Sequence, residues 1–89
     1  MFRIWGKIFK DNHLLQDMVY ENSDPDLNRT RKVYAGLHEF CMAFDLQKPI
    51  WLEKNITEFK RSDKTRFYQD NFIEQIEFDY LEIHVIEEA

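Results

Sequence analysis

From Ile76 to Glu88 apolar and acidic residues alternate: Ile76-Glu77-Phe78-Asp79-Tyr80-Leu81-Glu82-Ile83-His84-Val85-Ile86-Glu87-Glu88. A period of two is that of a strand with one buried and one wet face. A terminal strand needs partners made earlier in the chain, so this end is expected to be tied into the fold. The phase slips inside Tyr80-Leu81. Ile76, Phe78 and Tyr80 share one face and Leu81, Ile83 and Val85 the other, which predicts a bulge or a sheet covered on both sides.

The partners are predicted at the other end. Phe2 to Phe9 alternates as a first strand, and Leu14 to Glu21 reads as a second. Asp11-Asn12 tolerates positive φ and suits a two-residue hairpin loop. With Lys10 opposite His13, Ile8 falls beside Leu15 and Ile4 beside Val19, while Phe9 meets Leu14 and Trp5 meets Met18. Gly6 in mid-strand signals a bulge or a close backbone approach.

Between hairpin and terminal strand the period changes. Ser23 or Asp24 can cap a helix, and Pro25 and Asp26 suit its first turn. Leu27, Thr30, Val33, Leu37, Phe40, Cys41 and Phe44 then recur at helical spacing, and Pro49 stops the helix after about Asp45. Asn55 can cap a brief helix over 56–62, and Asp70 another turn carrying Phe72 and Ile73. The fold class expected is α+β: a two-layer ββαβ domain, residues 1–89. An antiparallel sheet of three or more strands packs on one long helix, with short helical turns before the C-terminal strand.

Eighty-nine residues allow one small core, and fourteen aromatic residues are more than it readily hides. Surplus rings on a surface point to a partner. The net charge of −5 weighs against nucleic acid as the main ligand. A single cysteine, Cys41, rules out an internal disulfide framework. No apolar run approaches a membrane span, and the N-terminal residues alternate as a strand rather than as a leader, so a cytoplasmic location is expected. The Asn-x-Thr triplets at Asn28 and Asn55 then carry no glycan.

Lys48-Pro49-Ile50-Trp51-Leu52, Glu58-Phe59-Lys60-Arg61 through Lys64-Thr65-Arg66-Phe67, and Phe78-Asp79-Tyr80-Leu81-Glu82-Ile83, together with Arg3-Ile4-Trp5-Gly6-Lys7, resemble a group of short uncharacterised bacterial proteins of similar length. The resemblance spans most of the chain. It implies a free-standing bacterial protein and carries over no activity and no functional residue.

Chemistry-bearing constellations are sparse. Gly6 and Gly36 lie in different elements, so no phosphate-cradling loop can be written. His38 and Cys41 lie three apart on the long helix, near enough to share a metal, but no closed ligand set accompanies them, and no metal or other cofactor is expected. A thiol in the apolar stripe is inert rather than nucleophilic. Glu77 and Asp79 share a strand face, which serves acid–base work if enclosed and solubility if not.

Two candidate surfaces follow. Trp5, Phe9, Met18 and Tyr20 share one face of the proposed hairpin and are the residue types that anchor interfaces, though the same face can be the core. Lys54, Lys60, Arg61, Lys64 and Arg66 form a basic run, with Trp51, Phe67 or Tyr68 available for stacking on bases. The reading is a small, non-catalytic, cytoplasmic binding or regulatory protein acting through protein–protein contact or self-association. Two alternatives stand beside it: nucleic-acid binding through Lys60, Arg61, Lys64 and Arg66, and a small-molecule enzyme or sensor using His38, Cys41 or the terminal acids.

Overall fold

The computed structural model describes residues 1–88, arranged as β1 (Phe2–Lys10), β2 (His13–Asn22), α1 (Arg29–Phe44), α2 (Glu53–Ser62), β3 (Lys64–Phe67), a 3₁₀ turn (Gln69–Asn71) and β4 (Tyr80–Glu87). The strands form one antiparallel sheet in the order β2-β1-β4-β3. The α+β class and antiparallel sheet expected from the sequence are present. The order is richer than ββαβ, because α2 is a full helix and β3 adds a fourth strand.

Asp11 and Asn12 turn the hairpin with φ of 52° and 66°, and Lys10 pairs with His13. The register expected further along does not hold. Phe9 pairs with Leu14 but Ile8 pairs with Gln16, so Leu15 is an extra residue. Ile4 therefore lies opposite Tyr20, and Trp5 opposite Val19. A one-residue slip exchanges the two faces of a strand. Met18 and Tyr20 move to the side of Ile4 and pack on the core, while Val19 joins Trp5.

The slip at Tyr80-Leu81 is an element boundary rather than a bulge. Ile76 and Phe78 lie in the loop before β4 and pack on the core from its edge, Phe78 edge-on to Phe72 at 5.9 Å. Within β4, Leu81, Ile83 and Val85 face the core.

The core lies between the sheet and the helices. Val33, Leu37, Phe40, Cys41 and Phe44 of α1 face Phe2, Ile4 and Ile8 of β1, with Phe59, Phe67 and Phe72 completing it. Two glycines set the approach of α1. A Cβ on Gly6 would stand 2.5 Å from the Phe40 ring, and one on Gly36 would stand 2.8 Å from Cγ2 of Ile4. Each lies where helix and strand meet most closely. Asn28, rather than Ser23 or Asp24, caps α1: its Oδ1 accepts the Arg31 N–H at 2.9 Å, and Asp45 closes the helix in the left-handed region. Asp24 instead accepts the Asp26 N–H (2.9 Å), shaping the turn out of β2.

A buried polar knot holds α2, β3 and the 3₁₀ turn together. Asn55 and Asn71 are both wholly buried. Asn55 Nδ2 donates to Thr65 Oγ1 and to the Arg66 carbonyl, both at 2.9 Å. Its Oδ1 accepts from Leu52 N–H (3.1 Å) and Asn71 Nδ2 (2.7 Å). Asn71 also donates to the Ile50 carbonyl and accepts from Tyr68 N–H. Buried amides are tolerated only when their bonds are made, and here they fasten the edge strand. Asn55 sits inside α2 and reaches back to its start, which is three residues earlier than the sequence suggested.

Candidate interaction surface

Both helices lie on one side of the sheet, and the other side carries no cover among the described residues. Residues directly opposite in an antiparallel ladder share a face, so the register defines rows across the strands. One row runs Val19, Trp5, His84, Lys64; the next runs Asp17, Lys7, Glu82, Arg66. On one flank Leu14, Phe9 and Tyr80 align, with Tyr68 continuing the row beyond β3. On the other flank lie Glu21, Arg3 and Glu87.

The ring row is continuous. Phe9 stacks on Tyr80 at 5.3 Å between centroids, and Tyr80 meets Tyr68 at 5.4 Å. Cations sit over these rings. The Arg66 guanidinium is 4.5 Å from the Tyr80 centroid, Lys54 Nζ is 5.4 Å from Tyr68, and Lys7 Nζ is 3.9 Å from Trp5. Such placement is attractive electrostatically and keeps an aromatic surface compatible with water.

Charges alternate across the Asp17 row. Trp5 Nε1–H donates to Asp17 at 2.8 Å. Lys7 Nζ reaches Glu82 Oε2 at 2.8 Å, and Arg66 Nε reaches Oε1 at 2.9 Å. The Glu82 side chain is only 5% exposed and that of Lys7 12%. Burial alone would raise the Glu82 carboxyl, but bonds and charges from Lys7 and Arg66 outweigh it and hold the group below the ordinary carboxylate range. Burial lowers His84, helped by the nearby Lys64 and Lys7 charges, so its neutral form is favoured. Arg3 bridges Glu21 (2.8 Å) and Glu87 (3.5 Å).

The structure divides the four candidate interface residues. Trp5 and Phe9 lie on the open face, whereas Met18 and Tyr20 lie against the core, because of the extra residue at Leu15. Leu14, Val19, Tyr68 and Tyr80 take their place. The candidate basic set divides too. Lys64 and Arg66 point to the open face, and Arg61 lines the same shallow hollow beside Tyr68 and Glu58. Lys60 lies elsewhere, at an apolar groove between α1 and α2 that Trp51 and Phe59 help to line. Of the rings offered for stacking on bases only Tyr68 is on the surface. Trp51 is half-buried edge-on to Phe67 (5.1 Å) and Phe59 (5.6 Å), and Phe67 is wholly buried.

His38 is exposed, while Cys41 is buried on the core side of α1, where burial pushes its thiol up to about 11. A thiol so placed is protonated at neutral pH and makes a poor nucleophile or ligand. No cluster of three His, Cys, Asp or Glu side chains able to hold a metal ion occurs among the described residues. Glu77 is exposed, and Asp79 is spent on the hairpin loop, accepting the Asp11 N–H at 2.8 Å. Among the described residues no helix is long and apolar enough to cross a membrane. Comparison with protein-family models, with curated proteins and with solved structures found no match to this chain.

Proposed function

We propose that this chain is a non-catalytic binding or regulatory protein of the bacterial cytoplasm that acts through protein–protein contact on the helix-free face of its sheet. The observation that carries the reading is the content of that face. Aliphatic and phenylalanine side chains fill the helix side and are buried there, while the open side keeps Trp5, Phe9, Tyr68, Tyr80, Leu14 and Val19 uncovered among paired charges. Rings flanked by satisfied polar groups are what interface centres are made of. The bacterial assignment rests on the resemblance to short bacterial proteins, and the cytoplasmic one on that resemblance and on a lone, buried cysteine.

The test is affinity capture of tagged protein from cell lysate after nuclease treatment, with Tyr68→Asp in parallel. Tyr68 is 39% exposed, so its replacement leaves the core alone. The expected result is a protein recovered in near-equal amount by the native chain and lost by the variant. Recovery of the same material by both chains would refute the reading.

A second reading has one specific observation behind it: Lys54, Lys64 and Arg66 of the basic run lie around the Tyr68–Tyr80 ring pair, as a single-stranded nucleic acid would require. It is tested by the anisotropy of a labelled single-stranded oligonucleotide at low salt. It demands binding that weakens steeply with added salt and with Arg66→Ala; flat anisotropy dismisses it.

A further inference from the structure

We infer that the occupant of the open sheet face is a second copy of this chain, the two sheets stacking face to face about a two-fold axis that runs along the strands between β1 and β4. The inference rests on the binding reading above and names its partner.

The strand columns alternate in sign. Asp17 and Glu21 lie on β2, Arg3 and Lys7 on β1, Glu82 and Glu87 on β4, and Lys64 and Arg66 on β3. A two-fold axis along the strands, between the two central ones, sets β2 over the β3 of the second copy and β1 over its β4. Asp17, Glu82 and Glu87 then each face a cation, while Val19 comes opposite Lys64, Trp5 opposite His84, and Glu21 lies beyond the end of β3. Asp17 comes opposite Arg66, Lys7 opposite Glu82, and Arg3 opposite Glu87. In the ring row Leu14 comes opposite Tyr68 and Phe9 opposite Tyr80. Every such match occurs twice, as an isologous contact requires.

The other in-plane axis, across the strands, fails this requirement. It lays β1 on the β1 of the second copy with the rows reversed, so that Arg3 meets Phe9 and Lys7 meets Trp5. Arg66 then meets Lys64, a like charge, and Glu21 and Glu87 are laid on Leu14 and Tyr80 with no cation opposite them. The pattern thus selects one arrangement of two copies, and aligned sheets crossing by about 30° suit an axis that bisects their strand directions.

Charge and desolvation agree with this. The chain carries a net −5, yet the face has four acidic and four basic side chains, so the excess negative charge lies off the contact. Lys7 and Glu82, which would stand at the centre, are already 12% and 5% exposed. Most of their desolvation is met within one chain, and closing a second copy over them removes little more water. Four strands about 4.8 Å apart, three of them ~25–33 Å long and β3 only ~13 Å, give a footprint of roughly 500 Å² before side-chain relief is counted. That is of the order of the ~800 Å² per partner of a standard interface.

The test is sedimentation equilibrium of the purified chain over a concentration series, with Leu14→Asp, Tyr68→Asp and, as control, Ile73→Asp. Leu14 and Ile73 are 46% and 85% exposed, and circular dichroism checks that every variant is folded. The expected masses are two chains for the native protein and the control, and one chain for either face variant. Mixing Asp17→Arg with Arg66→Asp should give a mixed dimer that neither variant forms with itself. Should Arg66→Asp not fold, having lost its bond to Glu82, the two single face variants decide. A single-chain mass for the native protein at all concentrations overturns the inference. So does a dimer indifferent to Tyr68→Asp, which would place the contact at the far β2 edge. A monomer that captures a different protein through Tyr68 overturns the second copy and leaves the binding reading standing, whereas a monomer with no Tyr68-dependent partner ends both.

Discussion

Asn55→Ala tests whether the buried amide knot, rather than the short α2, holds the edge of the sheet. The native side chain makes four hydrogen bonds. After truncation Asn71 still reaches the Ile50 carbonyl and Thr65 still donates to Glu58 at 2.7 Å, so those groups keep a partner. The Leu52 N–H and the Arg66 carbonyl lose the side-chain partner that Asn55 gave them. Each partly buried orphan is worth about 1–2 kcal/mol, and the two further lost bonds about 0.5–1 kcal/mol each, giving a total of ~3–6 kcal/mol. A domain of this length has roughly 4–13 kcal/mol to lose. Urea unfolding should therefore show a midpoint moved sharply down at unchanged m-value. Asn28→Ala supplies the comparison, because that asparagine makes a single, exposed cap bond to Arg31 and should cost about 1 kcal/mol. If the two substitutions prove equal, the edge strand is held by packing alone and the account of the knot is wrong.

Three further outcomes are expected. Gly6→Ala should destabilise by roughly 1–3 kcal/mol in urea unfolding, since the new methyl meets the wholly buried Phe40 ring; Gly36→Ala should cost less, because the helix gains about 1 kcal/mol of propensity against its own close contact. Stability should fall on acidification in two steps. The native pKa values of His84 and Glu82 lie below their ordinary values of 6.5 and 4.5, so the unfolded chain binds protons first. His84→Gln should abolish the step that begins below pH 6.5, as followed by thermal melts across pH. Cys41 should react with a chromogenic disulfide at pH 8 only about as fast as the protein opens, and at once in denaturant; fast reaction of the folded chain would refute the packing of α1.

Much of the framework was legible because local chemistry set it. Asp11-Asn12 accepts positive φ, and the apolar stripe of α1 has the spacing of a helix pressed on a sheet. The hairpin register beyond the loop was not legible. Leu14, Leu15 and Gln16 contain no alternation, all three are exposed, and nothing in their side chains tells which one is extra. That ambiguity placed Met18 and Tyr20 on the wrong face. β3 was hidden for another reason. Lys64-Thr65-Arg66-Phe67 is too short and too charged to declare itself, and it is a strand because β4 pairs with one edge and Asn55 binds its Arg66 carbonyl. The partners in that knot lie up to 21 residues apart in sequence and share no pattern.

Two short helices can cover only one side of a four-stranded sheet, so the remaining side has to be made compatible with water without being made inert. Glu82 is where the two demands meet. Its carboxylate holds Lys7, which covers Trp5, and Arg66, which covers Tyr80. Glu82→Gln keeps the shape but removes the charge that anchors both cations. The fold should lose about 2–3 kcal/mol, read as a lower urea midpoint, because Lys7 is left nearly buried without its counter-charge. The open-face rings should at the same time become more accessible, read as stronger quenching of Trp5 by iodide; Trp51, boxed by Phe59 and Phe67, supplies the unchanged background. Loss of stability without added quenching would mean that Glu82 fastens β1 to β3 through β4 and has no part in covering the rings.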